Sequence, residues 1–307
     1  MIKVFIDGSA GTTGLRIRER LSGRKDLQLT VLSEELRKDP SARADALNSA
    51  DVSFLCLPDA AAIEAASFVT SPEAVIIDTS TAHRTAEGWT YGMPELTGQR
   101  EKIASAKRIA NPGCHATGFI SLIAPLAENG LLAPDVRLSC FSLTGYSGGG
   151  KKMIAEYEAP DRDPLYQAPR QYGLGQTHKH LPEMAKVCGL AFAPVFCPIV
   201  APYYAGMEVT VPLTPAETSA TAAEIRRIYQ EYYRSGLIHF AEAPDEGGFL
   251  SAGALAGRDS LEVSVFGNDE RILLVSRFDN LGKGASGAAI QNMNLALGLD
   301  ETEGLVE

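Results

Sequence analysis

The chain has 307 residues, 45% of them hydrophobic and 21% charged, with a formal net charge of −10, enough length for two cores and no Lys/Arg run of the kind a nucleic-acid binder presents. An anionic ligand must therefore be held by local groups against the overall field. No apolar stretch approaches the ~20 residues of a membrane helix, the first residues lack the leader of a secretory signal, and five scattered cysteines, an odd number, read as reduced thiols in a cytoplasm.

The first third alternates short apolar runs with helical patterns. Strands are expected over 3–7, 27–32, 52–57 and 74–78, with helices over 13–21 and 60–69. Continuously apolar strands separated by helices predict a doubly wound parallel α/β sheet covered on both faces. Directly after the first strand, "DGSAGTTG" places Gly8, Gly11 and Gly14 ahead of a helix. Glycines there let a backbone approach a pyrophosphate, and the helix start supplies N–H groups and a positive dipole end. Gly8, Ser9, Gly11, Thr12, Thr13 and Gly14 are thus candidate cofactor residues, the threonines adding hydroxyl donors. Ser33 follows the second strand, where an adenosine ribose is read. Glu34 or Glu35 there would favour a free 2′-hydroxyl, and Ser33 with Arg37 or Lys38 would take a 2′-phosphate. The phosphorylated dinucleotide is the preferred reading.

Further along, "STAHRTAEGWTYGMPE" sets Arg84 just beyond the fourth strand. Ligands of such sheets bind outside the carboxyl ends of the strands, so Arg84 is a candidate fork for a carboxylate or phosphate; a surface salt bridge is the alternative. "NPGCHATG" then puts Cys114 after a Pro-Gly turn and before an apolar helical run ending at Asn129-Gly130, with Pro125 as a possible bend. A thiol at a helix start feels unpaired N–H groups and the dipole, which bring cysteine pKa values to roughly 3.5–7.5 and favour the nucleophilic thiolate. Cys56, Cys140, Cys188 and Cys197 lie in apolar runs and read as packing residues. His115 adjoins Cys114, but neighbouring helical side chains diverge, so it is expected to point elsewhere.

The second half predicts strands over 136–145, 196–202, 207–213, 261–267 and 271–278, a helix over 221–233 and an apolar helical segment over 284–297. Several strands alternate polar and apolar residues, the pattern of an antiparallel sheet with one wetter face. "TGYSGGGKK" is a glycine-rich loop whose N–H groups can form an anion nest around Ser147, Gly148 and Gly149, with a flexible hairpin tip as the alternative. "THKHLPE" carries His178 and His180, candidates for proton transfer near neutral pH. A polar surface loop is one rival reading. Metal binding by these histidines with Cys188 and Cys197 is another, but the spacing matches no common zinc motif, and no metal is assigned. His239 reads as a packed or edge residue.

Together these motifs resemble the N-acetyl-γ-glutamyl-phosphate reductase family in its shorter, type 2 form, nearly end to end: "GSAGTTG", "TSTAHRTAEGWTYGMPEL", "NPGCHATG", "LTGYSGGGKK", "HKHLPE" and "NLGKGASGAA". The resemblance implies an NADPH-dependent reduction of an acyl phosphate in arginine biosynthesis, through a thioester on Cys114, releasing phosphate and a semialdehyde. It implies His180 as acid/base group, with His178 as second choice. Arg84 and Ser147–Gly149 would hold substrate anions, and Asn280, Gly282 and Lys283 would line the cofactor site. It also implies residues 1–115 as the dinucleotide-binding domain, with 284–307 returning to it, and 116–283 as an α+β catalytic and dimerisation domain with a mainly antiparallel sheet, in a homodimer or homotetramer. The family usually has an aromatic residue after its cysteine, and here His115 stands there. Aspartate-semialdehyde dehydrogenase shares the chemistry, but it usually shows Asn-Cys before its helix rather than the Pro-Gly-Cys turn. A non-catalytic dinucleotide sensor with a merely packed Cys114 is the rival from another class.

Overall fold

The computed structural model describes every residue except Ala10. It divides into two units, Met1–Gly113 with Ala285–Val306, and Cys114–Gly284 with the terminal Glu307. In chain order the first unit contains β1 (Ile2–Asp7), α1 (Thr12–Leu21), β2 (Leu27–Thr30), α2 (Pro40–Ser49), β3 (Val52–Leu55), α3 (Asp59–Ser67), β4 (Val75–Asp78), β5 (Thr90–Tyr91), α4 (Gln99–Ser105) and β6 (Arg108–Ala110). The second contains α5 (Cys114–Glu128), β7 (Ser139–Gly145), α6 (Gly150–Glu158), β8 (Arg170–Gln171), α7 (Leu181–Val187), β9 (Val195–Ala201), β10 (Met207–Leu213), α8 (Ala222–Tyr232), β11 (Ile238–Phe240), β12 (Leu261–Asn268) and β13 (Arg271–Phe278). The chain then passes through a π-helical turn, Gly282–Ser286, into α9 (Gly287–Ala296), which belongs to the first unit.

The first unit is a six-stranded, wholly parallel sheet in the order β2-β1-β3-β4-β6-β5. Side chains alternate across it with period two. Val4, Ile6, Val52, Phe54, Val75 and Ile77 face one layer, where Ile17 and Leu21 of α1 meet Ile290 and Met293 of α9. Phe5, Leu55 and Ile76 face the other, against Leu47 of α2 and Ala65 of α3. This is why β3 and β4 are buried on both faces and read as mostly apolar runs, with Ser53 buried inside β3 and Asp78 ending β4.

The second unit is a seven-stranded mixed sheet in the order β11-β12-β13-β10-β7-β9-β8. Four strand pairs are antiparallel, and β7–β9 and β11–β12 are parallel. Helix α5 packs on β10 and β13, with α7 and α8 beside it. Pro125 does not end α5. It lacks an N–H, which deprives the Ser121 carbonyl of its helical donor, and the Tyr233 hydroxyl takes that carbonyl at 2.6 Å. On the opposite sheet face Phe141, Val195 and Leu273 remain exposed.

The expected strands are present but shorter at several ends, notably β2, β3 and β7. The 221–233 pattern starts at the Thr221–Glu224 capping box. Helices α2, α4, α6 and α7 and the short strands β5, β6, β8 and β11 were not expected. The glycine-rich 144–152 segment is no hairpin tip: residues Tyr146–Gly149 form a 3-10 turn that runs on into α6. Among the described residues no helix is long and apolar enough to cross a membrane.

Candidate active site

In the first unit the glycine turn joins β1 to α1. Gly8 sits at φ +86°, and a Cβ on it would come within 2.3 Å of the Cys56 carbonyl oxygen. A Cβ on Gly14 would come within 2.6 Å of the Gly8 carbonyl oxygen. The turn is therefore closed by backbone on backbone, with the Gly11 N–H donating to the Gly8 carbonyl at 3.0 Å. Gly11 is the N-cap of α1 and offers no side chain to its first turn. Beside it the Thr12 hydroxyl is buried without a hydrogen-bond partner among the described residues, an arrangement that costs about 1–3 kcal/mol unless a ligand oxygen completes it. An uncapped helix start and an orphan hydroxyl fit a diphosphate. Ser9 and Thr13 lie in the same half-buried stretch. Ser33, beyond β2, is hydrogen-bonded to Glu35, whose carboxyl it holds below the usual range, and Arg37 is ion-paired with Glu34.

Arg84 does not stand as an open fork. Its Nε donates to the Asn111 carbonyl at 2.9 Å and an Nη to the Thr79 carbonyl at 3.2 Å. The carboxyl ends of β4 and β6 carry uncapped carbonyls there, and a guanidinium is their natural donor. Asn111 in turn donates to the Ala285 carbonyl at 3.0 Å and accepts from Asn292 at 3.1 Å. The segments just before Cys114 and just after Gly284 are thus pinned within the first unit.

In the second unit Cys114 is the first residue of α5, a fifteen-residue apolar helix, and it is half-buried. A dipole of that length places its positive end at the sulfur's residue. The packing reading suits Cys56, whose thiol burial pushes up to about 12, and Cys140 and Cys188, pushed up by the same cause. Gly284 closes on Cys114: a Cβ there would stand 3.0 Å from that of Cys114.

His115 does not leave the site as the divergence argument expects. It is buried, 5.6 Å between ring centroids from both His178 and His180, and 5.2 Å from Phe196. The side of α5 facing away from residue 114 is where the segment before α7 folds back, so divergence carries His115 into the histidine cluster. Its Nδ1 meets Ser142 Oγ at 2.6 Å and its Nε2 meets Tyr172 Oη at 2.7 Å. Burial, aided by the charge of His178, takes its pKa down to about 3. His178 and His180 lie 4.7 Å apart, and His178 Nδ1 accepts the His180 backbone N–H at 3.2 Å, which assigns the His178 ring proton to Nε2 when neutral. Tyr172 stands 6.0 Å from His178. Burial raises its phenol, and the charge of Cys114 raises it further. Ser142, Tyr172 and Phe196 escaped the sequence reading. The only local hint was the histidine following the cysteine.

Two other expectations change. The main-chain N–H groups of Tyr146 and Ser147 donate to the Tyr203 and Tyr204 carbonyls at 2.9 and 3.0 Å, so the Ser147 N–H drops out of the nest expected at Ser147, Gly148 and Gly149. Asn280 is buried, accepts from the Gly206 N–H at 2.9 Å and donates to Ser147 Oγ at 2.9 Å. Its amide braces the Ser147 turn. Gly282 packs against the Arg258 carbonyl, where a Cβ would collide at 2.0 Å, and Lys283 is buried beside it.

Residues 32–106 match the semialdehyde dehydrogenase NAD binding domain, and 114–280 match the semialdehyde dehydrogenase dimerisation domain. The chain is 45% identical to N-acetyl-gamma-glutamyl-phosphate reductase 2 of Nostoc sp., across 99% of both chains. It is 46% identical to the N-acetyl-gamma-glutamyl-phosphate reductase of Brucella suis, across 96% of this chain and 99% of the relative. Among solved structures it is similar to aspartate semialdehyde dehydrogenase from Francisella tularensis, with a TM-score of 0.71 at 15% identity across 96% and 99% of the two chains. Aspartate semialdehyde dehydrogenase II from Vibrio cholerae gives a TM-score of 0.69 at 18% identity across 96% and 98%. At these identities the likeness is one of fold.

Proposed function

The chain belongs to the N-acetyl-γ-glutamyl-phosphate reductase family, and from that premise we propose that it reduces N-acetyl-γ-glutamyl phosphate to N-acetylglutamate semialdehyde and phosphate, a step of arginine biosynthesis, with Cys114 as nucleophile. The observation that carries the reading is the half-buried Cys114 at the head of α5, beside a cluster of three histidines. Aspartate semialdehyde dehydrogenases share the fold at 15–18% identity, whereas full-length relatives at 43–46% identity carry the reductase name.

In the first half-reaction the Cys114 thiolate attacks the acyl carbon. The C–S bond forms, phosphate leaves with the electron pair of the broken C–O bond, and a thioester remains on the protein. The glycine turn Gly8–Gly14, with Ser9, Thr12 and Thr13, would hold the diphosphate of NADPH, and Ser33 its adenosine ribose. Bound NADPH supplies the hydride that takes the thioester to the aldehyde level. His180 is the acid/base group that manages the proton as the aldehyde leaves and Cys114 is restored, a role worth ~10²–10⁴ in rate; His178 stands next to it. Gly148 and Gly149, beyond the braced Ser147, are the substrate-side backbone. Turnover of N-acetylglutamate semialdehyde with phosphate and NADP⁺ tests the assignment, and activity confined to aspartate semialdehyde would sink it.

The chain assembles as a homodimer through the open face of the seven-stranded sheet. Support comes from Phe141, Val195 and Leu273, which are 43%, 58% and 42% exposed on the unit that matches a dimerisation domain. Such a row of apolar side chains marks a self-complementary contact. Leu273→Glu is expected to sediment as a monomer where the native chain sediments as a dimer. A reducing, cytoplasmic location is supported by the five cysteines, none of which forms a disulfide among the described residues.

A further inference from the structure

His115 has a partner on each ring nitrogen, Ser142 Oγ at 2.6 Å and Tyr172 Oη at 2.7 Å. The ring is 3% exposed, and burial takes its pKa down to about 3, so near neutral pH it holds one proton and donates from one nitrogen only. Ser142 decides which. Its hydroxyl is fully buried in β7, and among the described residues His115 is its one hydrogen-bond partner. With Nδ1 protonated, the seryl proton would lie in the core without an acceptor, an unfavourable arrangement. Ser142 therefore donates to Nδ1, the ring proton sits on Nε2, and Nε2–H donates to Tyr172 Oη. The Tyr172 proton is left for a further acceptor. The tyrosine is half-buried rather than sealed. Its ring stands beside His178, and it lies near enough to Cys114 for a charge on that sulfur to act on it. Burial and that charge keep the phenol protonated, hence a donor, across the neutral range.

We propose that Tyr172 is a catalytic residue that donates its hydroxyl proton in a hydrogen bond to the substrate's acyl oxygen as Cys114 attacks, and that His115, anchored by Ser142, is the positioning residue that keeps this donor aimed there. The inference rests on Cys114 being the nucleophile. When the C–S bond forms, the π electrons of the carbonyl move onto the oxygen. The Tyr172 proton is shared with that oxygen, not transferred, and the electrons return to re-form the carbonyl as the leaving group departs. Each donor in the series Ser142, His115, Tyr172 polarises the next toward the developing charge.

Two electrophiles separate this role from a general effect on the sulfur. p-Nitrophenyl acetate acylates a thiolate through an oxyanion, and iodoacetamide alkylates it without one. In Tyr172→Phe the acylation rate is expected to fall ~10²–10³-fold, the usual loss of one oxyanion donor, while alkylation stays within about twofold of the native rate. His115→Leu is expected to match that loss, His115→Gln to recover most of it through an amide N–H in the Nε2 position, and the double variant His115→Leu/Tyr172→Phe to be no slower than the worse single one. Acylation unchanged in Tyr172→Phe overturns the proposal. So do acylation and alkylation falling together, which would put the phenol on the sulfur, and multiplicative losses in the double variant. These readouts need neither NADPH nor the proposed substrate: a native chain acylated at Cys114 that does not turn over N-acetylglutamate semialdehyde refutes the substrate assignment and leaves the tyrosine test standing.

Discussion

The two units build their chemistry by opposite means. In the first, a sheet buried on both faces presents backbone, and its decisive positions are those where a side chain is missing: Gly8 and Gly14 each have a carbonyl oxygen where a Cβ would go. In the second, a sheet with one open face supports α5, and next to Cys114 stand side chains held by other side chains, His115, Tyr172, His178 and His180. The lesson is that the first site is damaged by adding atoms and the second by removing them.

The largest test of this contrast is Cys114→Ala. Removing one sulfur atom is expected to lower reductase kcat by at least ~10³-fold, with far-ultraviolet circular dichroism and NADPH affinity unchanged. Measurable turnover near the native rate would end the covalent reading. Next comes Gly14→Ala, which adds one methyl group 2.6 Å from the Gly8 carbonyl oxygen. The turn must shift, and the NADPH dissociation constant from fluorescence titration should rise about tenfold, ~1.4 kcal/mol. Alkylation of Cys114 by iodoacetamide should not change. A native dissociation constant in this variant would show that the turn is not the diphosphate site.

An effect of the same size is expected on stability. The ordinary histidine value is 6.5 and the folded His115 value is about 3. Between those values the unfolded chain holds the proton and the folded one does not, so stability falls as the pH is lowered through this window and is unaffected by His115 above it. At pH 5.5 the loss is about 1.4 kcal/mol relative to pH 8. Urea unfolding of the native chain and of His115→Gln at both pH values reads it as a difference between the two; an equal loss in both would assign the effect to other groups. Burial of His115 gives the second unit this pH dependence, whereas the glycine turn of the first carries no titratable side chain.

Much of the fold was legible because its signals are local. The mostly apolar runs of β3 and β4, the glycine turn ahead of α1, the Thr221–Glu224 cap and the Asn129-Gly130 stop each depend on residues within about a turn of one another. Helices α2 and α4 were missed because they lack a strong apolar period, and α6 because its glycines resemble a loop.

Sequence alone therefore determined that a dinucleotide-type turn opens the chain and that one cysteine of five stands at the head of a helix, since both are properties of a few consecutive residues. Tertiary structure decided what surrounds them. His115 finds its partners 27 and 57 positions away, Arg84 closes on a carbonyl 27 positions away, and Asn280 braces a serine 133 positions back. Hydrogen bonds of that kind are selected by how the sheets bring strand ends and helix ends together, and nothing in the spacing of the letters encodes which donor meets which acceptor.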